Sequence, residues 1–486
     1  MAQNITLMGA SYSDVPAVEL PKTGGGTATF TDTSDANATA SDILSGKTAY
    51  VDGVKLTGTG SGGGGDASHW QRPSDFPDYS KVDLTDDEVL YLSYKTGMDN
   101  SYALITPNGT KSTQTFTIDV GTLDNGIYTV LDTETVRHGQ TYFKDLRNYE
   151  SNYVVIRVRG TLNYWVRLNI SATVDGYRYT SSAQYCVEVY GRLPNITSLD
   201  NSFRWLLYLR SVTLYGMASL TNCTRICGDA KSLENFYIDG TTKGVTLYYA
   251  FAANPCTKYV WLNDMNITNL QATFQGAPIQ YTDIESCSGT INGNFLSAFD
   301  SMRLESLDLS RFNVTATNSQ NMFTSCYNLR SLNISTFHLS GSASQLFMNT
   351  LLEEIPQADY SGITNTTSMF NGSKLIGSVT MPITADTQFR TSFQYCRTVK
   401  SVTIPATYTG QIVGQAFRDT DSLTEIHFLA TTPPPLANKN AFNYSSTNAS
   451  RKIYVPYSED HSVLEAYQTA SVWSTIDYPI VEEDPT

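Results

Sequence analysis

Residues 321–335 read NMFTSCYNLRSLNIS: an aromatic anchor, Phe323, a short polar turn, then a Leu-x-x-Leu-x-Ile core. Phenylalanine recurs around it at Phe251, Phe274, Phe299, Phe347, Phe370, Phe393, Phe417 and Phe442, at intervals of 23 to 25 residues. Phe203 lies two such steps before Phe251, with Cys227 midway. Strand-like cores follow most anchors: LRSVTLYG, LENFYIDG, LESLDLSR, LRSLNIST, VKSVTIPA and LTEIHFLA. One such unit cannot bury its own apolar side chains. Stacked units pair their strands into a parallel sheet and pile Phe and Leu into a shared core. The period lies in the leucine-rich-repeat range of about 20–29 residues. A parallel β-helix has coils of similar length, and the Leu-x-x-Leu-x-Leu core of LESLDLS favours the leucine-rich repeat.

Outward from the array, the chain divides further. Residues 1–59 read as a β-rich attachment module, and residues 60–68, GSGGGGDAS from Gly60, as a flexible linker. Residues 69–184 hold period-2 runs (EVLYLSY, TFTIDVG, YVVIRVRG, WVRLNISATV) that predict an antiparallel β-sandwich. Residues 185–445 form the solenoid. Residues 446–486 close it with a strand, a helix from about Ser458 to Ala470 and a last strand, because a bare solenoid end exposes core and strand edge. The expected class is mainly β: attachment module, sandwich, leucine-rich-repeat solenoid with parallel sheet, and α/β C-terminal cap.

Composition narrows the function classes. Charged residues are 16% of the chain, with 31 tyrosines and a formal charge of -14. Phosphate contacts need clustered Lys and Arg, so no nucleic-acid partner is expected. No window reaches the ~20 apolar residues of a membrane span. Seven cysteines in no framework spacing read as buried free thiols of a chain folded in a reducing compartment. Leu20-Pro21-Lys22-Thr23-Gly24 fits a sortase signal, but it lies near the start and the chain ends YPIVEEDPT, so no wall anchor is expected. The opening MAQNITLMGASYSDVP has no basic n-region and no apolar run, so no signal peptide is expected.

The stretches NMFTSCYNLRSLNIS, SFQYCRTVKSVTIPA, QAFRDTDSLTEIHFLATTPPP and KIYVPYSEDHSVLEAYQTASVW resemble the BspA-like subclass of leucine-rich repeats, over about residues 193–480. That family occurs in bacterial surface adhesins and in phages of gut bacteria. YSDVPAVELPKTGGGTATFTD and ATASDILSGKTAYVDGVKLTGTG resemble the start of phage tail-fibre and related virion fibre proteins. The resemblance implies a virion protein assembled in the host cytoplasm, docked to other virion proteins through residues 1–59, and trimeric. Alternatives are a capsid head fibre, a bacterial adhesin or a tailspike depolymerase.

Chemistry-bearing residues are sparse. None of the five histidines has a partner at ligand spacing, and His427 is expected on the solvated side of a repeat strand. Asp86-Asp87, Glu353-Glu354 and Glu482-Glu483-Asp484 are adjacent carboxylates that point apart rather than forming a glycosidase pair. The expectation is no enzyme, no cofactor and no metal. Strand alternation instead places Tyr190, Tyr215, Tyr237, Asp239, Trp261 and Asn263, with Glu188, on the outward face. Aromatic rings beside amides and carboxylates suit a host surface glycan or protein. The competing reading packs these aromatics against the sandwich or another subunit.

Overall fold

In a computed structural model, the structure describes six strands within residues 3–57 and residues 70–484 apart from 83, 85–87, 100, 169–170, 175, 181–183, 383–388 and 443–449. The expected linker 60–68 lies outside the described residues. Two compact units result, Met1–Ser68 and His69–Thr486. In the first, strands pair antiparallel: Gln3–Leu7 with Ala10–Val15, Ala17–Pro21 with Thr27–Thr31, and Thr48–Val51 with Val54–Thr57.

The second unit is mainly β. Its sandwich packs an antiparallel layer against a smaller sheet formed by Tyr102–Asn108, Tyr142–Asp145 and Trp165–Arg167. The larger layer runs Ile127–Arg137, Thr115–Asp124, Tyr153–Arg159, Val89–Lys95 and Cys186–Arg192. Alternation buries Leu90, Leu92 and Tyr94 between the layers with Ala103, Ile105 and Val166.

The last strand of that layer is also the first of the solenoid. Cys186–Arg192 pairs antiparallel with Val89–Lys95 and parallel with Ser211–Tyr215, and the sheet continues through Asn235–Ile238, Tyr259–Trp261 and Tyr281–Thr282. The position chosen as a boundary, 184/185, therefore sits within one nine-stranded sheet over one core that runs from Leu90 to Trp473. Antiparallel and parallel pairing share the same inter-strand spacing, so the sandwich covers the near end of the coil and removes its free edge.

Every repeat core forms a strand. Ser306–Asp308, Ser331–Asn333, Val399–Ile404 and Glu425–Phe428 pair in parallel with their neighbours. In the middle rungs a second parallel sheet lines another side of the coil, through Gly289–Asn294, Phe312–Asn318, Phe337–Ser342 and Asp359–Asn365. The phenylalanines form a ladder: centroids are 5.7 Å apart for Phe251 and Phe274, 5.2 Å for Phe299 and Phe323, and 5.5 Å for Phe417 and Phe442. These spacings exceed the ~4.8 Å rung separation because the rings stack with an offset.

The anchors from Phe203 to Phe417 sit in corners between two left-handed residues four positions apart: Asn321 and Ser325 around Phe323, Gln345 and Asn349 around Phe347, Ser368 and Gly372 around Phe370. A left-handed residue reverses the local twist, so alternate N–H groups all aim at the next rung. Asn321, Phe323 and Ser325 donate to the carbonyls of Ser344, Leu346 and Met348 at 2.9, 3.0 and 2.9 Å. Gly, Asn and Asp recur here because they tolerate positive φ best.

The Phe-x-x-Cys motif has a physical reason. Three residues past the anchor stands a small donor whose partner is the anchor carbonyl one rung earlier: Cys326 to Phe299, Ser373 to Phe347 and Cys396 to Phe370. All seven cysteines are free and six are buried; Cys256 is exposed, against the expectation of uniform burial. Burial pushes the Cys326 and Cys396 thiols up to about 12. Native protein treated with iodoacetamide near pH 8 should therefore label at Cys256 alone, and at all seven cysteines in denaturant, by intact-mass spectrometry.

The far end closes as expected. Lys452–Val455 and Ile480–Glu482 extend the sheet, and the helix Ser462–Thr469 is shorter than the 458–470 span read from sequence. Tyr467 and Trp473 cover Phe428 and Phe442, with Trp473 at 5.6 Å from the last ladder ring. Among the described residues no helix is long and apolar enough to cross a membrane.

Candidate functional site

The outward face of the nine-stranded sheet carries the residues singled out from sequence, with one change of register. Tyr190 pairs with Thr213, Thr213 with Tyr237, and Tyr237 with Trp261, so these four form one row. Arg192 pairs with Tyr215, beginning a second row that Asp239 and Asn263 continue. Counting from the core residues alone set Glu188 and Tyr190 beside Thr213 and Tyr215; in the sheet Glu188 lies opposite Ser211, two residues back. The antiparallel pairing of this strand with Val89–Lys95 sets that register, a constraint absent from any single repeat.

The rings do meet. Tyr190 and Tyr215 are 5.6 Å apart, edge to face, and Tyr215 and Tyr237 are 5.3 Å apart. The Tyr237 hydroxyl donates to Asp239 at 3.0 Å, and Asp239 also accepts the Gly216 N–H at 2.7 Å. The Asn263 carboxamide donates to the Ile238 carbonyl at 2.8 Å. Both polar members of the patch thus brace the sheet. Burial pushes the Tyr190, Tyr215 and Tyr237 hydroxyls upward, so all remain neutral donors at physiological pH.

Part of the face is covered by residues 70–82, a strap whose start, WQRPSDFPDYS, follows the Gly-rich stretch. Trp70 donates its indole N–H to Glu234 at 3.2 Å. Phe76 sits edge-on to Tyr153, and Tyr79 stacks on Tyr190 at 4.4 Å and 15°. Tyr79 also shares a hydrogen bond with Ser93 at 2.7 Å and packs with Tyr91, Val82 and Leu84. Arg72 grips Glu188 through two parallel bonds of 3.0 and 2.7 Å, and Glu188 is 2% exposed. Burial raises the Glu188 carboxyl while the guanidinium opposes that shift. Glu188 is therefore a buried anchor, not an outward ligand. Tyr190 is packed against the strap and Tyr237 is buried; Tyr215 and Trp261 remain partly exposed.

The remaining candidates do not converge. His427 is not merely solvated: its ring stacks on Tyr454 at 4.7 Å and bonds Glu483 at 2.5 Å. Glu482 instead pairs with His461 at 2.7 Å, and Glu353 with Lys374 at 2.6 Å. Asp86 and Asp87 lie outside the described residues. Among the described residues no group of three or more His, Cys, Asp or Glu side chains could hold a metal ion.

With this geometry established, comparison with known proteins gives three findings. Residues 248–365 and 344–449 match the BspA type leucine rich repeat region family, in six copies. No curated protein matches the chain. Among solved structures, a leucine-rich repeat protein from Bacteroides ovatus is 14% identical, with a TM-score of 0.28 over 67% of this chain and 94% of that one. A leucine rich cell surface protein from Faecalibacterium prausnitzii is 16% identical, with a TM-score of 0.22 over 64% and 92%. The assignment of the rungs between 248 and 449 as BspA-type repeats rests on the family match.

Proposed function

We propose that this chain is a non-catalytic attachment protein, a fibre of a phage particle whose solenoid contacts the host cell surface. The observation that carries the attachment role is the outward face with Thr213, Tyr215 and Trp261 partly exposed, held in register by parallel pairing through Asn235–Ile238. A surface fixed this way orders few side chains when it binds, which lowers the entropic cost of contact. Several copies on one particle convert weak contacts into durable attachment through effective concentration. The virion setting and trimeric assembly rest on the resemblance of YSDVPAVELPKTGGGTATFTD and ATASDILSGKTAYVDGVKLTGTG to virion fibre proteins.

The test has two arms. Immunogold labelling of a lysate should decorate the tails of intact particles; decoration of capsids supports a head fibre, and decoration of cell envelopes without particles replaces the proposal with a bacterial adhesin. In the second arm, labelled full-length chain should bind host cells, and Trp261→Ala should weaken that binding about tenfold while lowering the thermal midpoint less than a core truncation does, because the ring is partly exposed. Release of new reducing ends from host polysaccharide would mean a depolymerase instead.

A further inference from the structure

The left-handed corners contain an anomaly. At the second left-handed position the other rungs carry Asp229, Ala253, Gly276, Ser301, Ser325, Asn349, Gly372 and Asp419, all small, and one late rung carries Tyr395. The first rung carries Trp205, at φ 61°. A bulky residue in this region is an outlier, held only where the surroundings over-determine it. Trp205 serves no core: it is 44% exposed, even with the Arg204 guanidinium 4.2 Å over its ring.

Its surroundings fix the ring rather than bury it. The indole N–H donates to Asp229 on the next rung at 3.1 Å, and Asp229 also meets Arg204 at 3.4 Å and Lys231 at 3.2 Å. Lys231 is held in turn by the Ala253 carbonyl at 2.7 Å. Arg204 and Arg225 flank Gly228: a Cβ there would lie 3.8 Å from Arg204 Nε and 3.7 Å from Arg225 Cβ. Arg204 Nε is buried with no hydrogen-bond partner. Arg225 reaches over Tyr248 and Tyr249, 5.6 and 5.4 Å from their centroids. The corner therefore displays a rigid indole braced by Arg204, with the Arg225 guanidinium over two tyrosines alongside and one carboxylate spent on positioning.

We propose that this corner is a binding site for an acidic saccharide, with a pyranose ring lying on the Trp205 indole and its carboxylate met by Arg225. An aromatic plane offers the C–H face of a sugar a contact with little conformational entropy to lose, and a guanidinium pairs with a carboxylate through two parallel donors. A position of this backbone class that needed only stability would carry Asn or Gly, as the rungs of Gly276, Asn349 and Gly372 do. The inference deepens the attachment reading by naming a ligand class, at a site separate from Trp261.

The experiment uses full-length wild type, Trp205→Asn and Arg225→Gln on an array of neutral, sialylated and uronate-bearing glycans, with thermal midpoints for each. Wild type should bind acidic glycans over their neutral counterparts. Trp205→Asn should lose that binding by about tenfold or more while its thermal midpoint stays equal or rises, since Asn suits the left-handed backbone. Arg225→Gln should lose the preference for acidic glycans. Absence of acidic-glycan binding by wild type, or equal binding by Trp205→Asn, overturns the site. If Trp205→Asn still binds host cells as wild type does, the corner proposal fails while the attachment reading stands; if wild type binds no host cells, the attachment reading fails by itself.

Discussion

Replacing Phe323 with Ala is expected to cost about 3–5 kcal/mol of folding free energy, the range for emptying a fully buried aromatic site. Phe323 is fully buried and stacks between Phe299, at 5.2 Å and 4°, and Phe347, at 5.9 Å and 10°. The corner cannot collapse onto the void, because Asn321 and Ser325 are tied to the next rung on either side of the missing ring. Solenoid rungs couple only to their neighbours, so the damage should stay local. Native-state hydrogen exchange should lose protection first around residues 295–350, while the strands Val89–Lys95 and Tyr153–Arg159 keep theirs. Phe323→Leu, which refills most of the volume, should cost far less. A Phe323→Ala urea midpoint close to that of wild type would mean that the ladder is filler and that strand pairing alone holds the coil.

The ladder was legible before any coordinates because it depends on one residue type at a fixed interval. Phe251 through Phe442 mark the rungs, and LESLDLSR and LTEIHFLA mark strands that form where they stand. The left-handed corners left a fainter trace. Their residues include Asn, Ser, Gly and Asp, but also Arg225, Tyr249 and Gln345, so no short pattern announces them. The sandwich was legible as alternation in four runs. Strands such as Ile127–Arg137, with little inward-facing apolar surface, gave no such signal.

The candidate site was readable as a face but not as a surface. Alternation selected the side of Tyr215, Tyr237 and Trp261 that points out. Whether that side meets solvent depends on residues 70–82, more than a hundred positions away in sequence, and no periodicity connects the two. The aromatic and proline-rich run WQRPSDFPDYS, following directly on a Gly-rich stretch, was the one available sign that a segment there packs on something. Trp205 escaped for the opposite reason: its importance lies in a backbone angle, and a lone Trp in "NSFRWLLY" looks like any core residue.

The strap yields the second large effect. Arg72→Met should destabilise the chain by about 3–5 kcal/mol near neutral pH, because it leaves Glu188 buried without its counter-charge. The Glu188 side chain is 3% exposed and Arg72 makes both of its charge-assisted bonds. The pH dependence follows from the direction of the Glu188 shift. Burial already lifts its folded-state carboxyl above the ordinary value, and removal of the guanidinium lifts it further. The folded variant then binds a proton that the unfolded chain releases, so its stability falls as pH rises from the ordinary carboxylate range through the raised folded value. The deficit relative to wild type should accordingly be largest at neutral pH and shrink toward pH 5, as measured by urea unfolding at each pH. Adding Glu188→Gln to Arg72→Met should recover most of the loss, since a neutral amide there carries no charge to strand. Equal deficits at both pH values, with no rescue by the second substitution, would show that Arg72 acts through its packing on Phe76 and Tyr79 rather than through the buried ion pair.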